Sequence, residues 1–544
     1  METQQDTVSI VRKLTFNFLS TEIEKEKFWR DSAEKLIGSL ERGENTGIIA
    51  ETTSGKTIIS LIAAAAYIET KGYRVLFLVP SRGLAYQHET LLKNIGSELQ
   101  ISTKVLIGGI KGRMWNDPSI SIIFATPQMF MRDCKRGTAN IENFNIVVLD
   151  EFHKTVGKYD YVKIAKNAEE SGVKIIGLSA FPGAKEEKIT KLKKSAHITK
   201  LLRAKRETPK KIEEVAIAEM DETLRCIEEK FIKLFRAVEK EIISLGFSLR
   251  TKPREKQFSL SLGKIITLPA YQVLLENELD FLFSKIENAP QNSKEKWKCM
   301  TLYAIYRKLK HAYKVCLTES YHTFIMYVEG LEKDDSKAAK RILKSPVFKE
   351  ILFLANRERE NHPKVSELLK IARLLHKSGT RGVIFVAEKT TGEYLKSLFN
   401  KKEQLTEVVF GGNGKSEKKL AEAIEKLKRK KLFFLIATSV IEEGLNVPEI
   451  GVVVHYSMPI TEISRIQRSG RTARTTTGNV VFIMLNHQID KSRYWKTFWG
   501  EKRMKEIMEE MEEKETREIP SLSQTHNSKK ARCALTLDLF ATPA

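Results

Sequence analysis

Residues Gly47-Ile48-Ile49-Ala50-Glu51-Thr52-Thr53-Ser54-Gly55-Lys56-Thr57 decide the fold of this chain. An apolar run of strand character ends at Ala50, and the bland apolar stretch from Ile58 to Ile68 reads as a helix. The loop between them closes on Ser54-Gly55-Lys56-Thr57. A strand, a tight loop and a helix N-terminus in that order aim backbone N–H groups at phosphate oxygens. Lys56 then faces the β- and γ-phosphates of ATP and Thr57 the magnesium, with Thr53, Ser54 and Gly55 completing the cradle. Ala50 stands where such loops usually have their first glycine.

About a hundred residues on, the predicted strand Ile146–Leu149 runs into Asp150-Glu151-Phe152-His153. A carboxylate at that strand end is placed to hold magnesium opposite the loop, and the next one to orient or deprotonate the attacking water. Asp150 and Thr57 are therefore the expected metal ligands and Glu151 the expected base. Much later comes Gln467-Arg468-Ser469-Gly470-Arg471-Thr472-Ala473-Arg474. Arg471 and Arg474 are three apart and share a face if the segment is helical. An arginine aimed at the γ-phosphate stabilises transition-state charge by roughly 10³–10⁵-fold. A chain that divides one ATP site between distant segments turns hydrolysis into relative motion of two lobes.

The rest of the chain fits two such lobes. Five apolar runs ending at Ala50, Val79, Phe124, Leu149 and Leu178 read as buried parallel strands. The same rhythm returns in Gly382–Val386, Leu432–Ile436, Val452–Val454 and Val480–Ile483. The predicted class is α/β: two domains with parallel sheets plus an inserted, mostly helical domain. The boundaries fall at 1–200 for the ATP-binding domain, 201–361 for the insertion, 362–510 for the second lobe and 511–544 for an acidic helix end and tail. The segment between the two rhythms, roughly 180 residues, is too long for a loop. It mixes basic and aromatic residues (Trp297, Lys298, Tyr303, Tyr306, Arg307, Lys308, Lys310), which suggests contact with substrate rather than a spacer.

Composition points the same way. Lys plus Arg number 92 against 69 Asp plus Glu, a net charge of +23, which favours a polyanionic partner. With 42% hydrophobic and 30% charged residues the chain is globular in character. Cys134, Cys226, Cys299, Cys316 and Cys533 show no C-x-x-C spacing, which argues against a zinc module or disulfide framework and for a reducing, cytoplasmic setting. Neither a signal peptide nor a membrane span is expected. Leu535-Thr536-Leu537-Asp538-Leu539-Phe540 closes the chain as a small apolar island, either a frayed end or a docking peptide for a partner such as a sliding clamp.

Taken together these motifs resemble superfamily 2 helicases of the DEAD/DEAH-box type. They are most similar to the branch of Hef, FANCM and Mph1, relatives of the RIG-I and Dicer helicases. The run Asp150 to Val162, with Gly157, Tyr159, Tyr161 and Val162, is similar to that branch's extended box. Leu178 to Gly183 resembles its third motif, Ala437 to Glu449 its fifth, and Tyr494-Trp495 to Lys505 the segment after its sixth. The resemblance implies two RecA-like domains, ATP and Mg2+, and a nucleic-acid substrate. It assigns backbone contacts to Pro80, Ser81, Arg82, Gln87, Thr126, Pro127 and Thr438, and nucleotide contacts to Gln467, Gly444 and Asn446. Ser179 should couple the lobes. Phe152, Asn446 and Phe181 depart from the family's usual residues, without removing a phosphate-, metal- or water-handling group. Hef's nuclease motif has no counterpart. The expectation is an ATP-dependent helicase or translocase on forked, branched or single-stranded DNA, in fork repair and with 3′→5′ polarity. The alternatives are a duplex-RNA-dependent ATPase and a nucleotide-switched scaffold.

Overall fold

The computed structural model describes residues 7, 11, 23–50, 54–95, 99, 101–108, 114–180, 183, 186–204, 211–249, 258–259, 265–266, 276–290, 293–401, 406–409, 414–438, 450–470, 472 and 478–518. The first lobe opens with helix α1 (Ile23–Glu41), then β1 (Thr46–Ile49), α2 (Lys56–Lys71), β2 (Val75–Leu78), α3 (Arg82–Ile95), β3 (Thr103–Leu106) and β4 (Ile122–Ala125). It continues with α4 (Pro127–Lys135), β5 (Ile146–Asp150), α5 (Asp160–Glu170), β6 (Lys174–Ser179), α6 (Glu186–Ala196) and β7 (Lys200–Arg203). The seven strands form one parallel sheet in the order β3-β4-β2-β5-β6-β1-β7. Alternate residues of the central strands enter separate apolar clusters: Val75, Phe77 and Val148 on one face, Leu76, Leu78, Val147 and Leu149 on the other. Burial on both faces is why these strands read as unbroken apolar runs.

The segment from 201 onward begins with two strands of the flanking sheets, which corrects the predicted edge of the insertion. β7 reaches Arg203 in the first sheet, and β8 (Lys211–Ala218) pairs in parallel with a strand of the second lobe. The helical insertion itself holds α7 (Glu222–Ser244), the short antiparallel pair β9 (Phe258–Ser259) and β10 (Ile265–Ile266), α8 (Glu276–Glu287), α9 (Lys294–Thr318), α10 (Tyr321–Glu332), α11 (Lys337–Lys344) and α12 (Pro346–Arg357). Between α9 and α10 the chain breaks at Glu319. Ser320 accepts a hydrogen bond from Thr323 N and caps α10.

The second lobe adds α13 (Pro363–Lys377), β11 (Gly382–Phe385), α14 (Lys389–Asn400), β12 (Thr406–Val409), α15 (Gly414–Lys428), β13 (Phe434–Ala437), β14 (Val452–His455), α16 (Glu462–Ser469), β15 (Gly478–Leu485) and α17 (Gln488–Glu518). Its parallel sheet has the order β12-β13-β11-β14-β15-β8. The insertion docks on this lobe: Ala218 and Leu485 join its core cluster. Glu319, buried at the break between α9 and α10, accepts hydrogen bonds from Ser457 Oγ (2.9 Å) and Thr391 Oγ1 (3.1 Å). Beside it the fully buried Lys364 pairs with Asp490 at 2.8 Å, and His362 bonds Cys316 O at 3.1 Å. The stretch His362-Pro363-Lys364 thus joins insertion, second sheet and α17.

Candidate ATP site and nucleic-acid face

The strand and the helix fall where the sequence predicts them, and the last described loop residues, Ser54 and Gly55, are held from outside. Gly55 has φ 86°, a left-handed conformation that favours glycine. A Cβ there would lie 2.3 Å from Trp29 Nε1. That same indole N–H donates to Ser54 O at 2.8 Å, so α1 braces the phosphate loop. No motif spacing marks Trp29; the sequence reading missed it.

Lys56 and Glu151 meet across the strand ends. Lys56 Nζ lies 2.9 Å from Glu151 Oε1, and both side chains are buried. Glu151 has φ 54°, a conformation uncommon outside glycine, which turns its carboxylate back toward the loop. His153 Nδ1 lies 3.2 Å from Glu151 Oε2 and 3.1 Å from Ser179 Oγ. One N–H cannot serve both acceptors fully, and Oε2 carries no hydrogen bond. Burial raises the Glu151 pKa, but the Lys56 ammonium and His153 outweigh it and hold the carboxyl well below its usual range. A buried, ionised carboxylate with a free oxygen suits a water-activating base.

Asp150 Oδ1 accepts the Glu151 N–H at 3.1 Å and its Oδ2 contacts His88 Nε2 at 3.1 Å. His88, one residue past Gln87, was also missed. The single hydroxyl of Tyr161 in the extended box lies within hydrogen-bond distance of both Leu78 O (3.0 Å) and Asp150 O (2.8 Å), at the ends of β2 and β5. Phe152 is fully buried under Gly47 and Gly177, glycines paired in register on β1 and β6. A Cβ at Gly177 would come within 2.8 Å of the ring. Those two glycines accommodate this departure from the family's residue.

Gln467 and Arg468, in the Gln467–Arg474 segment that resembles the family's sixth motif (motif VI), are presented by α16. Gln467 and Arg468 are buried; the Arg468 guanidinium lies 5.0 Å from the Phe385 ring and donates to Ser457 O at 3.4 Å. Two residues before Gln467, Arg465 is fully buried in a cage the sequence did not reveal. The rings of Phe482, Tyr494 and Phe498 lie 4.3, 4.9 and 5.5 Å from its guanidinium, and Glu213 and Glu501 both pair with it, at 2.5 and 3.1 Å. Ile466 of α16 and Met504 and Ile507 of α17 join the first lobe's cluster with Leu149 and Phe152, so this helix is docked on the ATP-binding lobe.

On the first lobe, Val79 N donates to Ala125 O at 2.9 Å, which sets Pro80, Ser81 and Arg82 beside Thr126 and Pro127 at one sheet end. Arg82 is exposed, and Gln87, Ser81 and Thr126 are half-buried. Thr438 follows β13 and is half-buried. Thr53, Phe181, Gly444, Asn446, Arg471, Arg474, Cys533 and the Leu535–Phe540 island lie outside the described residues. In the insertion Trp297 is 66% exposed, but Tyr303 and Tyr306 are core residues, so the aromatic surface expected there is smaller.

Two family models match the chain: DEAD/DEAH box helicase over residues 30–189 and helicase conserved C-terminal domain over 363–476. The chain belongs to the ATP-dependent helicases of superfamily 2. It is 26% identical to a Methanocaldococcus jannaschii protein named as an ATP-dependent RNA helicase, over 88% of this chain and 60% of that protein. It is 23% identical to the ATP-dependent DNA helicase mph1 of Neurospora crassa, over 81% of this chain and 40% of that protein. The crystal structure of the Pyrococcus furiosus Hef helicase domain matches with a TM-score of 0.57 and 22% identity, covering 89% of this chain and 99% of that one. These relatives put the helicase in the Hef, FANCM and Mph1 branch. It spans about 40–60% of the length of the two relatives named. Among the described residues no helix is long and apolar enough to cross a membrane.

Proposed function

We propose that this chain hydrolyses ATP to move along DNA and remodels forked or branched substrates. The observation that carries the proposal is the buried Lys56–Glu151 contact at the end of the first sheet, with motif VI docked on the same lobe. An incoming γ-phosphate competes for the Lys56 ammonium. Glu151, released from that contact and still beside His153, turns its carboxylate to the attacking water. Thr57 and Asp150 are the groups that would hold Mg2+, which when bound neutralises charge on the phosphate oxygens. Gln467, Arg471 and Arg474 complete the site from the second lobe, the arginines stabilising charge on the transferring phosphoryl group. Gly444 and Asn446 are proposed to contact the nucleotide.

Pro80, Ser81, Arg82, Gln87, Thr126, Pro127 and Thr438 grip the strand. Hydroxyls and amides that bind phosphates position a strand without reading its sequence, as stepping demands. The DNA assignment draws on the mph1 and fml1 names of relatives; the archaeal relative's name favours RNA as the second reading. The proposed domains are a first lobe, an insertion that grips junctions, and a second lobe whose tail recruits a clamp or repair partner. Strand separation from a dye-labelled fork is the test. ATP-dependent release by the native chain and none by Glu151→Gln is expected. Release by Glu151→Gln at the native rate refutes the site.

A further inference from the structure

Packing accounts for only one face of α17. Tyr494 and Phe498 turn inward to the Arg465 guanidinium, and Met504 and Ile507 are buried with the first lobe. One position beyond each inward ring, Trp495 and Trp499 are 38% and 43% exposed. Their rings are 6.4 Å apart with planes 24° from parallel, and Lys502 Nζ lies 5.3 Å from the Trp499 centroid. Lys491, Lys496 and Lys502, within one turn of these rings on the helix, form no ion pair among the described residues. The acidic residues on either side in the sequence are committed elsewhere, Asp490 to Lys364 and Glu501 to Arg465 and Lys505. The surface therefore offers half-exposed indoles beside lysines that have no ion pair, one of them (Lys502) already lying over the Trp499 ring.

That pairing suits one kind of occupant. Bases stack on aromatic faces, and cations beside them meet the phosphates. An apolar protein groove would not use the cations, and the chain's charge of +23 favours a polyanion over a neutral partner. We propose that Trp495 and Trp499 form a stacking site for single-stranded nucleic acid, separate from the path across Arg82 and Thr126. The inference rests on reading the chain as a nucleic-acid motor and adds a contact to it. Stacking tolerates any base, so the site suits a moving strand. The same helix clamps Arg465 from its inner face, so a strand held outside is one helix diameter from motif VI.

The test is a fluorescence-anisotropy titration of dye-labelled oligo(dT) with the full chain at fixed salt. The double variant Trp495→Ala/Trp499→Ala should bind about tenfold more weakly or worse. Trp495→Phe/Trp499→Phe, which keeps two rings, should recover most of that loss, and Lys496→Ala/Lys502→Ala should flatten the salt dependence. Native affinity in the alanine variant overturns the inference. So does equal loss in both aromatic variants with a lowered melting temperature, which would make the rings packing groups. Unchanged oligonucleotide affinity with lost binding to phosphatidylglycerol vesicles overturns it in favour of a lipid surface. If the native chain binds and is stimulated by nucleic acid while the alanine variant matches it, only this inference fails. If the native chain binds no nucleic acid, the proposed function fails and the inference with it.

Discussion

Replacing Arg465 with methionine should damage both stability and turnover, although Arg465 is two residues from the nearest predicted site residue. Its guanidinium is fully buried, with three aromatic rings within 5.5 Å and two carboxylates. Loss of a desolvated cation–π cluster costs about 2 kcal/mol. Glu213 and Glu501 keep 29% and 21% side-chain exposure, so they rehydrate when abandoned. Their share is therefore closer to the ~1 kcal/mol of a surface pair than to the ~3–5 kcal/mol of a buried one. Methionine fills much of the cage, leaving a net loss of about 3 kcal/mol. For a lobe of this size that lowers the melting temperature by roughly 6–12 °C. Loosening α16 shifts Gln467 and Arg468, so kcat should fall at least tenfold with ATP KM little changed. Arg465→Lys keeps the charge, loses the planar fork and should land between. Calorimetry and steady-state ATPase assays on the three proteins check this. Native melting and native kcat in Arg465→Met would refute the clamp.

Three further perturbations follow from buried groups. Lys364→Met strands Asp490 in a site with no exposure on either side chain and should cost about 3–5 kcal/mol; adding Asp490→Leu should restore most of it in urea unfolding. Phe152→Ala opens a cavity between Gly47 and Gly177 and should cost about 3–5 kcal/mol, read as a lowered urea midpoint. Burial, then Lys364, pushes the His362 pKa down to about 3, and burial, then Arg468 and Arg465, pushes His455 well below its usual value. Both stay neutral when folded, while the unfolded chain takes up protons below about pH 6.5. Stability from these two is full above that pH and falls with acid, by up to about 1.4 kcal/mol per pH unit for each histidine. His362→Asn should remove one histidine's share of that slope in unfolding measured between pH 7 and 5. Glu151, whose pKa is lowered, holds its stabilisation above the unfolded carboxyl range and adds nothing to the slope between pH 7 and 5.

What the sequence revealed and what it hid follow burial. Central strands such as β5 and β14 are buried on both faces and read as apolar runs. Edge strands were missed because edges carry charge: Lys104 on β3, Glu213 and Glu214 on β8, Glu407 on β12. In β8 the glutamates disguised a strand as part of the helical insertion. In the candidate site, Ser54, Lys56, Asp150 and Glu151 could be picked out because a phosphate loop and a strand-end acid pair have fixed spacing. Trp29, His88 and Arg465 were not, since each acts through contacts made only on folding. The Arg465 cage draws on residues as distant as Glu213 and Glu501.

Nucleic-acid-stimulated ATP hydrolysis tests the central claim most directly. The native chain and Lys56→Ala should be compared with forked DNA, linear single-stranded DNA and duplex RNA at one salt concentration. The account predicts turnover in the native chain, highest with the fork, and a loss of about 10³-fold in Lys56→Ala. Hydrolysis surviving in pure Lys56→Ala, or stimulation by duplex RNA and not by DNA, would contradict it.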